Sequence, residues 1–129
     1  MALPRIPQPL PAAGFAVPID GIKYRALLLG FFPVHSHNSL SPQLLLYPTH
    51  LVIKVIGTSQ YEYKALREVG YRPEQFLSRA KVELRFTDGA RYYLTVSYPS
   101  VERQLLQFFY DLEAPLSGAA LRTLEAPAT

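Results

Sequence analysis

Residues 80–98, AKVELRFTDGARYYLTVSY, constrain the fold more than any other stretch of this chain. Ala80, Val82, Leu84 and Phe86 alternate with Lys81, Glu83, Arg85 and Thr87, and beyond Asp88-Gly89 the residues Ala90, Tyr92, Leu94 and Val96 alternate with Arg91, Tyr93, Thr95 and Ser97. Side chains of a strand point to opposite faces with a period of two, so this is an antiparallel pair with one face buried. Register then selects the turn. A two-residue Asp88-Gly89 loop sets Leu84 against Tyr93 and Val82 against Thr95, which mixes the faces. A three-residue loop, Thr87-Asp88-Gly89 with Gly89 left-handed, sets Leu84 against Tyr92, Val82 against Leu94 and Ala80 against Val96. The second is the expected hairpin.

Directly after it the period changes. In PSVERQLLQFFYDLE, Val101, Leu105, Phe108 and Leu112 recur at helical spacing, Leu106 and Phe109 widen the stripe, and Arg103, Gln104, Gln107 and Asp111 take the other side. The expectation is one amphipathic helix, started by Pro99, capped by Ser97 or Ser100 and ended before Pro115. Upstream, QLLLYPTHLVIKVIG holds two short apolar runs about Tyr47-Pro48-Thr49-His50, a hairpin in which His50 falls where a turn favours positive φ. SQYEYKALREVGYR reads as a strand or a bent pair of strands, and GIKYRALLLGFF as a strand closed by a loop from Pro33 to Pro42.

Five of the twelve prolines lie in residues 1–20. Proline fixes φ and donates no hydrogen bond, so this arm is expected to be extended or disordered rather than sheet or helix. Residues 21–114 form the expected domain, and 115–129 a flexible tail able to make only a short helix near Ala119–Leu124. The apolar run Ala26–Val34 is half the length a membrane-spanning helix needs and contains Gly30 and Pro33. No transmembrane segment or secretion signal is expected, and the cytoplasm is the default location. The chain has no cysteine, which excludes disulfides and thiolate metal sites. A formal charge of +3 is too mild to argue by itself for nucleic acid or an anionic membrane.

The order of elements, several hairpin-connected strands and then one C-terminal helix, resembles a pleckstrin-homology-like domain. LLLYPTHLVIKVIGTSQYEYKALREV is similar to the bacterial pleckstrin-homology and GRAM pattern, in which an aromatic leads into a polar-Leu/Ile-x-x-Val segment, here Tyr63, Leu66 and Val69. VELRFTDGARYYLTVSYPSVERQLLQFF is similar to the last hairpin and closing helix of that family. The resemblance covers roughly residues 22–113. It implies a mainly β fold with one C-terminal α-helix, an antiparallel β-barrel or sandwich of six to seven strands capped by the helix. Bacterial relatives include ring-forming oligomers, so self-assembly is permitted.

Phosphoinositide binding does not transfer with the resemblance. The loop that supplies converging cations in many such domains corresponds here to His35, Ser36, His37, Asn38 and Ser39, without lysine or arginine. His35 and His37 can be read as metal ligands, but a closed site needs further ligands and His50 is the only spare imidazole, so neither metal nor cofactor is expected. No nucleophile elbow, carboxylate pair or phosphate loop is present, and no enzyme is expected. Six of the nine tyrosines, from Tyr61 to Tyr98, interleave with Lys64, Arg67, Arg72, Arg85 and Arg91, which suits either a single-strand stacking platform or half-buried strands with hydroxyls at the rim. Arg85, Arg91 and Tyr93 fall on outward strand positions, and tyrosine and arginine anchor protein interfaces.

The expectation is therefore a non-enzymatic binding or scaffolding module that engages a protein or itself through His35, His37, Asn38, Arg85, Arg91 and Tyr93. The alternatives are weak binding of single-stranded nucleic acid or another anionic ligand on a Tyr/Arg face, and a metal-dependent activity at His35 and His37.

Overall fold

The computed structural model describes residues 5–26, 32–35, 42–55 and 57–126. Its strands are β1 (Phe15–Val17), β2 (Ile19–Ala26), β3 (Phe32–His35), β4 (Gln43–Leu46), β5 (His50–Val55), β6 (Gly57–Glu62), β7 (Leu66–Arg72), β8 (Lys81–Phe86) and β9 (Arg91–Val96); the helices are α1 (Pro99–Asp111) and α2 (Gly118–Glu125). Among the described residues the strands form two open antiparallel sheets, β1-β4-β5-β6 and β3-β2-β9-β8-β7, and not a closed barrel.

The final hairpin takes the three-residue loop. Leu84 stands opposite Tyr92 and Val82 opposite Leu94. Gly89 sits at φ +91°, a conformation that costs glycine little and other residues more. Phe86 N–H donates to Ala90 O across the loop, and Ala90 N–H donates to Asp88 Oδ1. The first hairpin closes as Tyr47 N–H donates to His50 O. His50 is the first residue of β5, and the non-glycine positive φ angles lie instead at Leu77 and Glu113.

The expected bent pair after residue 57 is β6 and β7, joined by a 3-10 turn over Tyr63–Ala65. That turn transfers the chain from one sheet to the other. A second transfer lies at Pro18: β1 pairs with β4, and β2, one residue later, pairs with β9. Between the layers lie Leu44, Leu46, Leu51 and Ile53 from the first sheet and Val69, Val82, Leu84 and Leu94 from the second, with Val101, Leu105, Leu106, Phe108 and Phe109 of α1 in the same cluster.

Five more expectations need correction. The prolines do not keep the arm out of the sheets, because β1 has no proline in its three residues and pairs Phe15 with Leu46 and Val17 with Leu44. Pro33 to His35 belong to strand β3 and not to a loop; β3 is an edge strand, where the missing N–H of a proline is tolerated. The described strands exceed the expected six to seven because the arm contributes β1 and the segment read as a loop contributes to β3. Beside the one expected closing helix stands α2, near the short helix expected at Ala119–Leu124 but packed on the domain, its Ala120 fully buried and its N-cap Ser117 accepting from Ala120 N–H. At the start of α1 the N-cap is Tyr98, with no capping side chain, while Ser97 Oγ donates to Asp20 Oδ1.

Two residues on the polar side of α1, Arg103 and Gln104, are partly covered by neighbouring segments, while Gln107 and Asp111 stay exposed. Arg103 donates from Nη1 to Thr123 O and from Nη2 to Leu124 O and Ala126 O, satisfying carbonyls at the end of α2. Gln104 Oε1 accepts from Ile6 N–H at 2.8 Å and draws the N-terminal arm onto the helix. The tail also seals a sheet edge: Val69 N–H donates to Pro115 O, and Ser117 N–H donates to Val69 O.

Candidate functional site

Alternation on the second sheet sends Val82, Leu84, Tyr92, Leu94 and Val69 inward and gathers charge on the other face. Across that outward face, one row runs Arg91, Arg85 and Glu68 in register, and the next runs Lys23, Tyr93, Glu83 and Gly70; the backbones of Arg25 and His35 pair with Arg91 and Lys23 at the ends of these rows. A further pair sets Arg72 opposite Lys81. Directly opposed like charges on antiparallel strands are destabilising. Such juxtapositions on this face include Arg85 with Arg91 and Arg72 with Lys81.

Compensation is incomplete. Arg85 Nη1 lies 3.4 Å from Glu68 Oε1, the pairing with a neighbouring strand's acid that competes with an interface role. Arg72 Nε stands 3.9 Å from Glu83 Oε1, and its guanidinium carbon lies 5.0 Å above the Tyr93 ring. Lys81 donates to Ser78 Oγ and Arg79 O, and has its pKa lowered by burial and by the charges of Lys23, Arg72 and Arg79. Arg91 and Lys23 have no acidic partner among the described residues.

The structure therefore brings Arg85, Arg91 and Tyr93 onto one face, with the backbone of His35 at its β3 edge. Tyr93 is only 9% exposed, roofed by Arg72, so the accessible part of the patch is guanidinium and ammonium rather than phenol. His37 and Asn38 lie outside the described residues. His50 is on the other sheet from His35. Its ring stacks on Tyr47 with centroids 4.6 Å apart, and its Nδ1 lies 2.9 Å from Thr49 Oγ1, a structural use within the hairpin. Among the described residues no group of three or more His, Cys, Asp or Glu is placed to hold a metal ion.

Several tyrosine rings pack inward, as half-buried strands require. Tyr61 stacks on Phe86 with centroids 3.7 Å apart, and its hydroxyl donates to Asp88 Oδ2 and meets the Tyr92 hydroxyl. Tyr63 packs edge-on against Phe108 and donates to Tyr47 O. Burial raises the pKa of both phenols. Tyr71 is pushed up to about 12, first by burial and then by the charge and hydrogen bond of Glu102.

Sequence reasoning passed over two surface features. In the loop between β7 and β8, Gln75 and Ser78 exchange backbone hydrogen bonds of 2.9 Å each way, which places Phe76 and Leu77 at the tip of a tight turn. Both are 91% exposed, and Leu77 is held at φ +66°. The signal was an apolar pair inside the polar run PEQFLSRA. The second feature is a groove of about 450 Å³ between the end of α1 and α2, lined by Tyr110, Asp111, Glu113, Ala114, Leu116 and Leu121. It could be found only once α2 was known to fold back.

These features define an antiparallel two-sheet protein with a cationic sheet face. Comparisons with protein-family models, with curated proteins and with solved structures find no match to this chain. No helix among the described residues is long and apolar enough to cross a membrane.

Proposed function

We infer that this chain is a non-enzymatic, cytoplasmic binding module of pleckstrin-homology-like architecture, which takes an acidic segment of a protein partner on the outward face of β2, β8 and β9. The architecture is supported by the first strand turning from one sheet into the other at Pro18, the succession of hairpins and the helix packed on the core after the last of them. A binding rather than catalytic role is supported by an interior occupied by apolar side chains, with no buried polar or charged residue among those described.

The observation that carries the partner's chemistry is the opposition of Arg91 to Arg85 in register, with Lys23 and Arg72 beside them. Glu68 and Glu83 offset only part of this charge. An acidic segment laid over the face would relieve the repulsion and form charge-assisted hydrogen bonds. The same cations favour a second reading, a single-stranded nucleic acid. Against it stand the inward-packed rings of Tyr61, Tyr63 and Tyr92 and the covered ring of Tyr93, which leave little aromatic surface on this face for bases.

Amide shifts followed by NMR during titration with a Glu/Asp-rich peptide test the reading. Shifts are expected on β2, β8 and β9, smaller at moderate salt and lost in Arg91→Glu, a change that places opposite charges across the strands and leaves the fold intact. Absence of shifts on that face would refute it. Tighter binding of an oligothymidylate, with the steep salt dependence of counterion release, would favour the nucleic-acid reading instead.

A further inference from the structure

We propose that the outer edge of β7 is a second binding surface, which takes an extended segment of another protein as an added strand, and that residues 114–117 of this chain's own tail close it until such a segment displaces them. The surface is separate from the face bearing Arg91 and goes beyond the role inferred for that face.

Hydrogen bonding alternates between the two sides of a strand, so every second residue of an edge strand turns its N–H and C=O away from the sheet. In β7 one such residue is Val69. Its N–H donates to Pro115 O at 2.8 Å and its carbonyl accepts from Ser117 N–H at 2.9 Å, a parallel bridge centred on Leu116. Two residues on, Tyr71 presents the same pair of groups to the same side, and no backbone hydrogen bond from another segment meets them among the described residues. The tail does not follow β7 that far, because Ser117 caps α2 and the chain coils from Gly118 onward. It occupies one position of an edge that offers more.

The grip of the tail on the domain is light. Among residues 112–126 Ala120 alone is buried, while the apolar side chains of Leu112 and Leu121 stand in solvent. The chain enters the tail through Glu113 at φ +62°, a conformation that costs any residue with a Cβ. At the far end, three carbonyls of α2 hang on the single side chain of Arg103. Elements with so few buried contacts open locally, below the free energy of global unfolding.

The tail also specifies what replaces it. Ala114 and Leu116, two residues apart, pack against the core, and Pro115 between them contributes only its carbonyl to β7. An incoming segment therefore needs apolar side chains at alternate positions and a free N–H just after the second. By staying extended where the tail turns into a helix, it reaches Tyr71 as well as Val69 and makes bonds that the tail does not. Strand addition of this kind draws affinity from the backbone and selectivity from alternate side chains.

The probe is a fluorescent, end-capped peptide of sequence EAPLSGA, residues 113–119 of the chain. It is expected to bind wild type weakly, shifting the amides of Val69 and Tyr71, and to bind Arg103→Ala at least about tenfold more tightly, since apparent affinity rises with the fraction of chains whose tail is released. A peptide carrying Leu116→Ser should lose this binding. A covalent lock gives the opposite result. The chain has no cysteine, and a Cβ built at Gly70 lies 3.8 Å from Ser117 Oγ, so Gly70→Cys/Ser117→Cys places one disulfide across the bridge. Oxidised, this variant should not take the peptide; reduced, it should. Several results would each overturn the proposal: no binding by Arg103→Ala, equal affinity of wild type and Arg103→Ala, binding by the oxidised form, a cysteine pair that does not close, or wild-type hydrogen exchange in which the Val69 amide is as protected as that of Leu84. So would a two-chain species of wild type, seen by light scattering, that the peptide does not dissolve, which would assign the edge to exchange of tails between copies. Arg91→Glu should leave binding of the probe unchanged, and the acidic-peptide shifts on β2, β8 and β9 should persist in Arg103→Ala, which separates failure here from failure of the cationic-face reading.

Discussion

Gly14 shows how one residue fixes a distant contact. It lies at φ +88°, and a Cβ added there would meet the Tyr47 ring at 2.7 Å, while that ring is pinned from elsewhere by its stacking on His50. Gly14→Ala is expected to lose about 1–2 kcal/mol from the left-handed backbone alone and more from displacement of the ring. Denaturant unfolding of the two proteins measures the difference. The phenols give a pH response. Tyr71 titrates at about 12 in the folded chain against 10.0 unfolded, and burial raises Tyr61 and Tyr63 in the same direction. A raised folded pKa means that the folded state holds its proton more tightly. The stability this contributes is complete below pH 10 and is lost as pH rises through 12. Unfolding free energy should fall over that window, and Tyr71→Phe should make the fall shallower.

At the scale of elements, the tail is joined to the domain by specific bonds. Arg103 alone supplies hydrogen bonds to three carbonyls at the end of α2. Arg103→Ala is expected to cost about 1–3 kcal/mol, the loss typical of charged hydrogen bonds, and to raise amide exchange throughout α2 while the amides of β8 and β9 stay protected. Release of the tail would also free the edge of β7 that Pro115 and Ser117 now pair, and an open strand edge invites association. How far the sequence revealed these elements depended on how local their causes are. The final hairpin was legible to its register because Gly89 and the alternation of Val82, Leu84, Tyr92 and Leu94 act within a few residues. Helix α1 was legible for the same reason. The roles of Arg103 and Gln104 were not: each looked like solvent-facing polar surface, and their partners lie 20 and 98 residues away. The site divided in the same way. Outward placement of Arg85, Arg91 and Tyr93 follows from alternation, but the Arg72 guanidinium over Tyr93 depends on the pairing of β7 with β8, which alternation within one strand does not reveal.

At the scale of the molecule, the two sheets are joined by one continuous stretch of chain, β1 running into β2. Val17 is paired to Leu44 in the first sheet, Ile19 to Val96 in the second, and the Pro18 carbonyl between them accepts from Ser97 N–H. Neither layer can let go of this stretch without loosening its neighbour. The domain should therefore behave as one cooperative unit, with core amides of Leu44 and Leu94 exchanging through the same global opening in native-state hydrogen exchange; distinct opening free energies for the two would contradict this. A protease nick at Pro18 would then act like a severed hinge pin: both leaves of the structure would come apart together.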